Sequence, residues 1–403
     1  MVWIDWVSLF IRWFHVIAGV AWIGASFYFI WLDNNLESPP EWKKQKGIKG
    51  DLWAVHGGGF YEVAKYQYGP ENMPDTLHWF KWEAYTTWIS GICLLVLVYY
   101  FGASAFLIDP NVMQLSETQA IVMGLGLIFG GMLVYEIACR SPLAKKPILF
   151  AIFLLLLLTV AAWLATHWFS GRGAYIHIGA LIGTIMVANV FLQIMPSQRA
   201  MVDAVKNQQE IDPSWGEKAK LRSVHNNYLT LPILFIMISN HYPMTYLHPQ
   251  NWLVLIALCV VSAWIRHFFN LRHVGIVKPS ILITGALAML AIAVWVSAPN
   301  LFNGTSDASN SEPVKQEELV SQSQVKQVLD THCLSCHSKT PTDNMFPSPP
   351  LGLVMDDWQD IENKASVIYQ RVFVTRDMPF LNKTKMTNEE RKLVADWYLQ
   401  NLN

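Results

Sequence analysis

Nothing constrains the fold of this chain more than its repeated runs of about 20 residues almost free of charge. Such a run crosses the ~30 Å hydrocarbon core of a bilayer as a helix, since every backbone amide and carbonyl in lipid must be paired within the protein. Eight runs stand out, at about 7–31, 82–104, 118–139, 147–168, 174–195, 228–243, 251–269 and 279–298. The sixth is the shortest and contains Pro232. The first is too long for a signal peptide and has no basic leader, so it reads as a retained span. The composition agrees, with 53% hydrophobic residues and 18 tryptophans against 15% charged residues. A formal net charge of −1 excludes a nucleic-acid partner, which would require a clustered basic surplus. The expected fold is all-α, a polytopic membrane bundle of about eight transmembrane helices over residues 1–298.

Orientation follows from the basic residues of short loops, which are retained on the cytoplasmic side. The loops after the first, third, fifth and seventh runs hold Lys43, Lys44, Lys46, Lys49 and Lys65; Arg140, Lys145 and Lys146; Arg199, Lys206, Lys218, Lys220 and Arg222; and Arg266, Arg272 and Lys278. The opposite loops hold only Arg172. Both termini are therefore expected outside the cytoplasmic membrane.

After Pro299 the sequence turns polar, and 299–322 reads as a linker. Residues 323–403 have ordinary polarity and carry THCLSCHS, in which Cys333, Cys336 and His337 form CxxCH. In that motif two thiols bond covalently to haem and the histidine becomes an axial iron ligand. Amphipathic segments flank it, and Thr387 with Glu390 forms a capping-box pattern ahead of Leu393, Val394, Trp397 and Tyr398. The layout is that of a class I cytochrome c domain with one haem c. Met378, in RDMPF before the last helix, is the favoured second axial ligand among Met345, Met355, Met378 and Met386, with Met386 as runner-up. A zinc site or redox disulfide at Cys333 and Cys336 is the alternative, although neither needs His337. Haem attachment outside the cytoplasm agrees with the orientation read from Lys and Arg. Cys93, Cys139 and Cys259 lie within spans and read as packing residues.

Ionisable residues inside spans are costly and mark candidate sites. Toward the outer side, His15 and His177 are candidates to ligate a non-covalent haem b between small residues, or else hydrogen-bond within the bundle. His167 and His241 read as interfacial. Toward the cytoplasmic side gather His56, His78, Lys81, Glu83, His225, Asn226, Asn227, Arg266, His267 and His273. Lys81 and Arg266 could face an anion, the asparagines offer amide pairs, and nearby aromatics offer stacking faces. Snorkelling cations and an ordinary ion pair at Glu83 are the plainer alternative.

The strings LHWFKWEAYTTW, VHNNYLTLPILFIMISNHYP and WIRHFFNLRHVG, with the CxxCH tail, resemble the bacterial membrane-bound urate oxidase (urate hydroxylase) family, also called PuuD. The resemblance covers essentially the whole chain. It implies oxidation of urate to 5-hydroxyisourate in purine breakdown, at the inner membrane, with cytochrome c taking the electrons and a respiratory-chain acceptor in the periplasm beyond it. On that reading His56, His78, Lys81, Asn226, Asn227 and Arg266 bind substrate, and His225 or Glu83 serves as base, with Lys81 also in the catalytic set. A second haem b could lie between His225 and His267. The rival reading is a quinol-to-cytochrome c electron-transfer protein without purine chemistry.

Overall fold

The structure, a computed structural model, describes residues 2–297 and 320–400 apart from 111, 273–274, 344–345, 347 and 375–377. The predicted linker therefore lies almost wholly outside the described residues, as do His273 and Met345.

The membrane part is built from α1 (Val2–Asn35), α2 (Trp82–Leu94), α3 (Glu117–Arg140), α4 (Pro147–Trp168), α5 (Gly171–Asn189), α6 (Met195–Lys206), α7 (Pro213–Ser239), α8 (Asn251–Arg272) and α9 (Pro279–Ser297). A π-helical turn, Val190–Ile194, joins α5 to α6, and another, Leu95–Tyr100, extends α2. Among the described residues seven helices, with Gly171–Lys206 taken as one, are long and apolar enough to cross a membrane. That is the make-up of a multi-pass membrane protein. Its outer face carries exposed Val122, Ile137, Ile148, Leu156 and Leu287, which suits lipid and would be costly in water.

The predicted sixth span is the exception. It is the second half of α7, a single 27-residue helix whose first half carries Glu217, Lys218, Lys220 and Arg222. Pro232 lies inside this helix instead of ending it. Proline offers no N–H to the Tyr228 carbonyl four residues back, and the helix is held by packing on α5 and α8.

The most buried span is the one containing α5. Small residues let its neighbours approach. A methyl on Gly131 of α3 would lie 2.8 Å from Leu181, and one on Gly179 of α5 2.7 Å from Ile236 of α7. Short connections make consecutive helices antiparallel, so the loops rich in Lys and Arg gather at one end of the bundle.

That end also holds what the all-α expectation missed, a hairpin of β1 (Ile48–His56) and β2 (Gly59–Tyr66). Gly57 and Gly58 both adopt positive φ, +56° and +82°, as a two-residue turn of this hand requires. Lys43, buried, pairs with Asp51 on β1 and Glu62 on β2 and ties the hairpin to the chain leaving α1.

In the tail, α10 (Gln322–His332) and α11 (Asn388–Gln400) pack through a core that includes Val325, Leu329, Cys333, Ile361, Val394 and Trp397. The Thr387–Glu390 capping box forms, with Thr387 N–H donating to Glu390 at 2.7 Å and Glu390 N–H to Thr387 Oγ1 at 3.2 Å. The tail touches the bundle at the end opposite the hairpin, where the Phe380 ring meets Phe106 edge-on at 5.4 Å.

Candidate functional site

A cavity of about 1170 Å³ opens at the hairpin end. The last turns of α1, the π-turn after α5, α6, the first half of α7 and the last turns of α8 form its wall, with Lys49, Gly50 and Lys65 of the hairpin at its mouth. Lys65 is paired with Asp33 at 2.6 Å.

Four of the predicted site residues line this cavity: His78, Asn226, Asn227 and His267. Arg266 stands directly behind the wall. It is 4% exposed, donates from Nη2 to Asn227 Oδ1 at 3.2 Å, and lies 4.6 Å over the Phe27 ring. Among the described residues no carboxylate pairs with it, and its Nε has no hydrogen-bond partner. Asn227 Oδ1 also accepts from Ser26 at 3.0 Å.

Sequence reasoning missed Asn270. It lines the cavity one helical turn beyond Arg266, beside the Tyr228 hydroxyl, and neither of its buried amide atoms has a well-formed hydrogen bond. The i, i+4 spacing within RHFFN was the available signal. Tyr228 was missed as well; its hydroxyl lies 2.6 Å from His267 Nδ1. Each unpaired buried polar group costs about 1–3 kcal/mol. Arg266 and Asn270 are thus arranged for a ligand that is anionic and offers both a donor and an acceptor.

Other expected residues sit elsewhere. His225 turns to the opposite side of α7, where Nδ1 is 2.8 Å from Tyr135 Oη and the ring stacks on Phe150 at 4.7 Å and 9°. It joins a polar cluster in which Arg222 pairs with Glu136 at 2.8 Å and donates to Asn189 at 2.9 Å. Asn189 in turn donates to Asn226 Oδ1 at 2.8 Å, and Asn226 donates to the Met186 carbonyl at 3.0 Å, so both ends of its amide are engaged. His225 therefore does not line the cavity, and His267 does. Lys81 precedes α2 with its ammonium 5.9 Å from the Trp82 ring. Glu83 has one buried carboxylate oxygen without a partner. Neither lines the cavity, and His56 is exposed beside the hairpin turn.

His15 and His177 pass one part of the test for a haem b and fail another. His15 Nδ1 lies 3.0 Å from the Thr87 carbonyl, and His177 Nδ1 lies 2.8 Å from the Gly173 carbonyl. Both tautomers therefore leave Nε2 bare, as an iron ligand requires. Yet a methyl on Gly124 would lie only 2.6 Å from His177 Nε2, and Tyr100 Oη is 3.4 Å from that nitrogen. No macrocycle fits at His177 in this packing.

In the tail the first part of that test is met at His337. His337 Nδ1–H donates to the Leu353 carbonyl at 2.9 Å, which orients the ring and leaves Nε2 bare. Burial pushes the Cys333 thiol up to about 12. Met378 is half-buried against the tail core, whereas Met355 and Met386 are buried within it.

Residues 1–297 match the family model described as urate oxidase N-terminal. No curated protein and no solved structure matches the chain.

Proposed function

From the premise that this chain belongs to the urate oxidase N-terminal family, we propose that it oxidises urate to 5-hydroxyisourate in the cavity at the hairpin end. The carrying observation is the buried, carboxylate-free Arg266 beside Asn227 and the poorly bonded amide of Asn270. Urate is a planar anion whose edge presents alternating N–H and C=O groups. Its charge would offset Arg266, its edge would satisfy Asn270, and ring faces at Trp22, Phe29 and Trp79 line the same space.

The reaction balances as urate plus water giving 5-hydroxyisourate, two protons and two electrons. The new C–O bond forms at C5, and the electrons pass singly to acceptors of the haem class. Within this chain Cys333 and Cys336 would hold such a group covalently, and His337 and Met378 would bind its iron. A bound haem c there would supply one-electron acceptance, and a respiratory acceptor would take the electrons onward. The lysine-rich hairpin end would face the cytoplasm of a bacterial inner membrane, where purines are degraded, and the tail the periplasm.

Anaerobic titration of the purified protein with urate tests the reading. The expected result is stepwise growth of the reduced c-type absorption band, with 5-hydroxyisourate formed in half the molar amount of haem c reduced. A band that responds to quinol and not to urate would overturn it in favour of a quinol-to-cytochrome c electron-transfer protein.

A further inference from the structure

Oxidation of urate to 5-hydroxyisourate releases two protons, and we propose that His267, oriented by Tyr228, takes the first of them in the cavity. The assignment rests on the reading of the cavity as a urate site and adds a catalytic residue to it.

His267 lines the cavity and follows Arg266 in the chain. Its ring lies nearly parallel to Trp264 (5.6 Å, 24°) and to Tyr228 (5.9 Å, 25°). Packing on both rings, together with the Tyr228 hydroxyl 2.6 Å from Nδ1, fixes the imidazole in place. In the tautomer with Nδ1–H donating to Tyr228 Oη, the lone pair of Nε2 is left for a ligand. This is the geometry of a base held by an orienting partner.

The other titratable groups near the site lack one requirement or the other. His225 is committed to Tyr135 and Phe150. Glu83 lies off the cavity wall. His78 reaches the cavity, but its ring meets Phe80 edge-on at 4.7 Å and has no hydrogen-bond partner among the described residues. Asp33 lines the wall but is paired with Lys65, and Glu37 is exposed.

In the proposed step an N–H bond of bound urate breaks and an N–H bond forms at His267 Nε2, with the electron pair remaining on the purine. The resulting urate dianion is the more readily oxidised form. It gives its two electrons singly to the haem-class acceptors as water adds at C5. His267 returns its proton to solvent through the cavity mouth, and the second proton leaves with the added water.

The test compares wild type with His267→Ala, His267→Gln and Tyr228→Phe in the full-length protein. Urate binding is measured by anaerobic equilibrium dialysis, and turnover by reduction of the c-type band. His267→Ala and His267→Gln are expected to bind urate within about threefold of wild type while kcat falls about 100-fold or more, the range removed with a general base. Added imidazole should restore about tenfold of the lost rate in His267→Ala and none in His267→Gln, where the cavity is filled. Tyr228→Phe should lower kcat about tenfold with KM little changed. His267→Gln turning over at more than half the wild-type rate, or a urate-binding His267→Ala that imidazole does not rescue, would overturn the assignment. If His267→Ala does not fold, the His267→Gln rate decides. Failure of wild type to bind urate would instead overturn the parent reading.

Discussion

Tyr135 Oη lies 2.8 Å from His225 Nδ1, and this contact sets His225 on the face of α7 away from the cavity. The role left to His225 is packing and polar satisfaction between helices. His225→Ala should lower the melting temperature in detergent through loss of the Phe150 stack and of one hydrogen bond to Tyr135, whose hydroxyl keeps Asn189 as partner, a cost of about 0.5–1.5 kcal/mol for the bond. Its KM for urate should stay within about twofold of wild type. A large rise in KM with unchanged melting would contradict the structure.

Arg266 should have opposite effects on affinity and stability. Its buried guanidinium has no carboxylate partner among the described residues, so Arg266→Met removes an uncompensated charge and should raise the melting temperature of the ligand-free protein. The same change should weaken urate binding about tenfold, through loss of a nearby buried positive charge and of its hold on Asn227. Calorimetry with and without urate checks both signs.

Asn270→Asp supplies the missing counter-charge from within the chain. One helical turn from Arg266, the new carboxylate would pair with the guanidinium and repel an anionic ligand. Dialysis should show urate affinity lost at least as severely as in Arg266→Met. Asn270→Leu, which adds no charge, should lose less.

In the tail, Asp356 accepts from Ser338 Oγ at 2.7 Å and from the Lys339 amide at 2.8 Å, and these bonds hold its carboxyl below the usual carboxylate range. A depressed folded value means that the stabilisation is present above the unfolded value of about 3.9 and is lost as pH falls through the folded value. The protection factors of the α10 and α11 amides in the full-length protein should therefore fall on acidification. Asp356→Asn should lose that component of the acid response, and an unchanged pH profile would exclude the contribution.

The sequence revealed the bundle because apolar run length alone sets a span. It did not reveal the hairpin, because IKGDLWAVH and GFYEVAKY are half polar and only the Gly57–Gly58 turn marks them. The site was legible as a region but not as a set of atoms. His225, Asn226, Asn227 and Tyr228 follow one another at about 100° per residue and together surround the helix. All four were therefore equally near in sequence, yet the cavity takes three of them and Tyr135 takes the fourth. Which side of α7 faces the cavity depends on α1, α5 and α8, and no local pattern encodes it.

The Phe106–Phe380 contact has a kinetic consequence. A covalently joined partner resting on the bundle is present at an effective concentration of the millimolar order, however dilute the protein is in its membrane. Whatever group the tail carries therefore needs no diffusional search for the bundle, and exchange between the two parts should be first order.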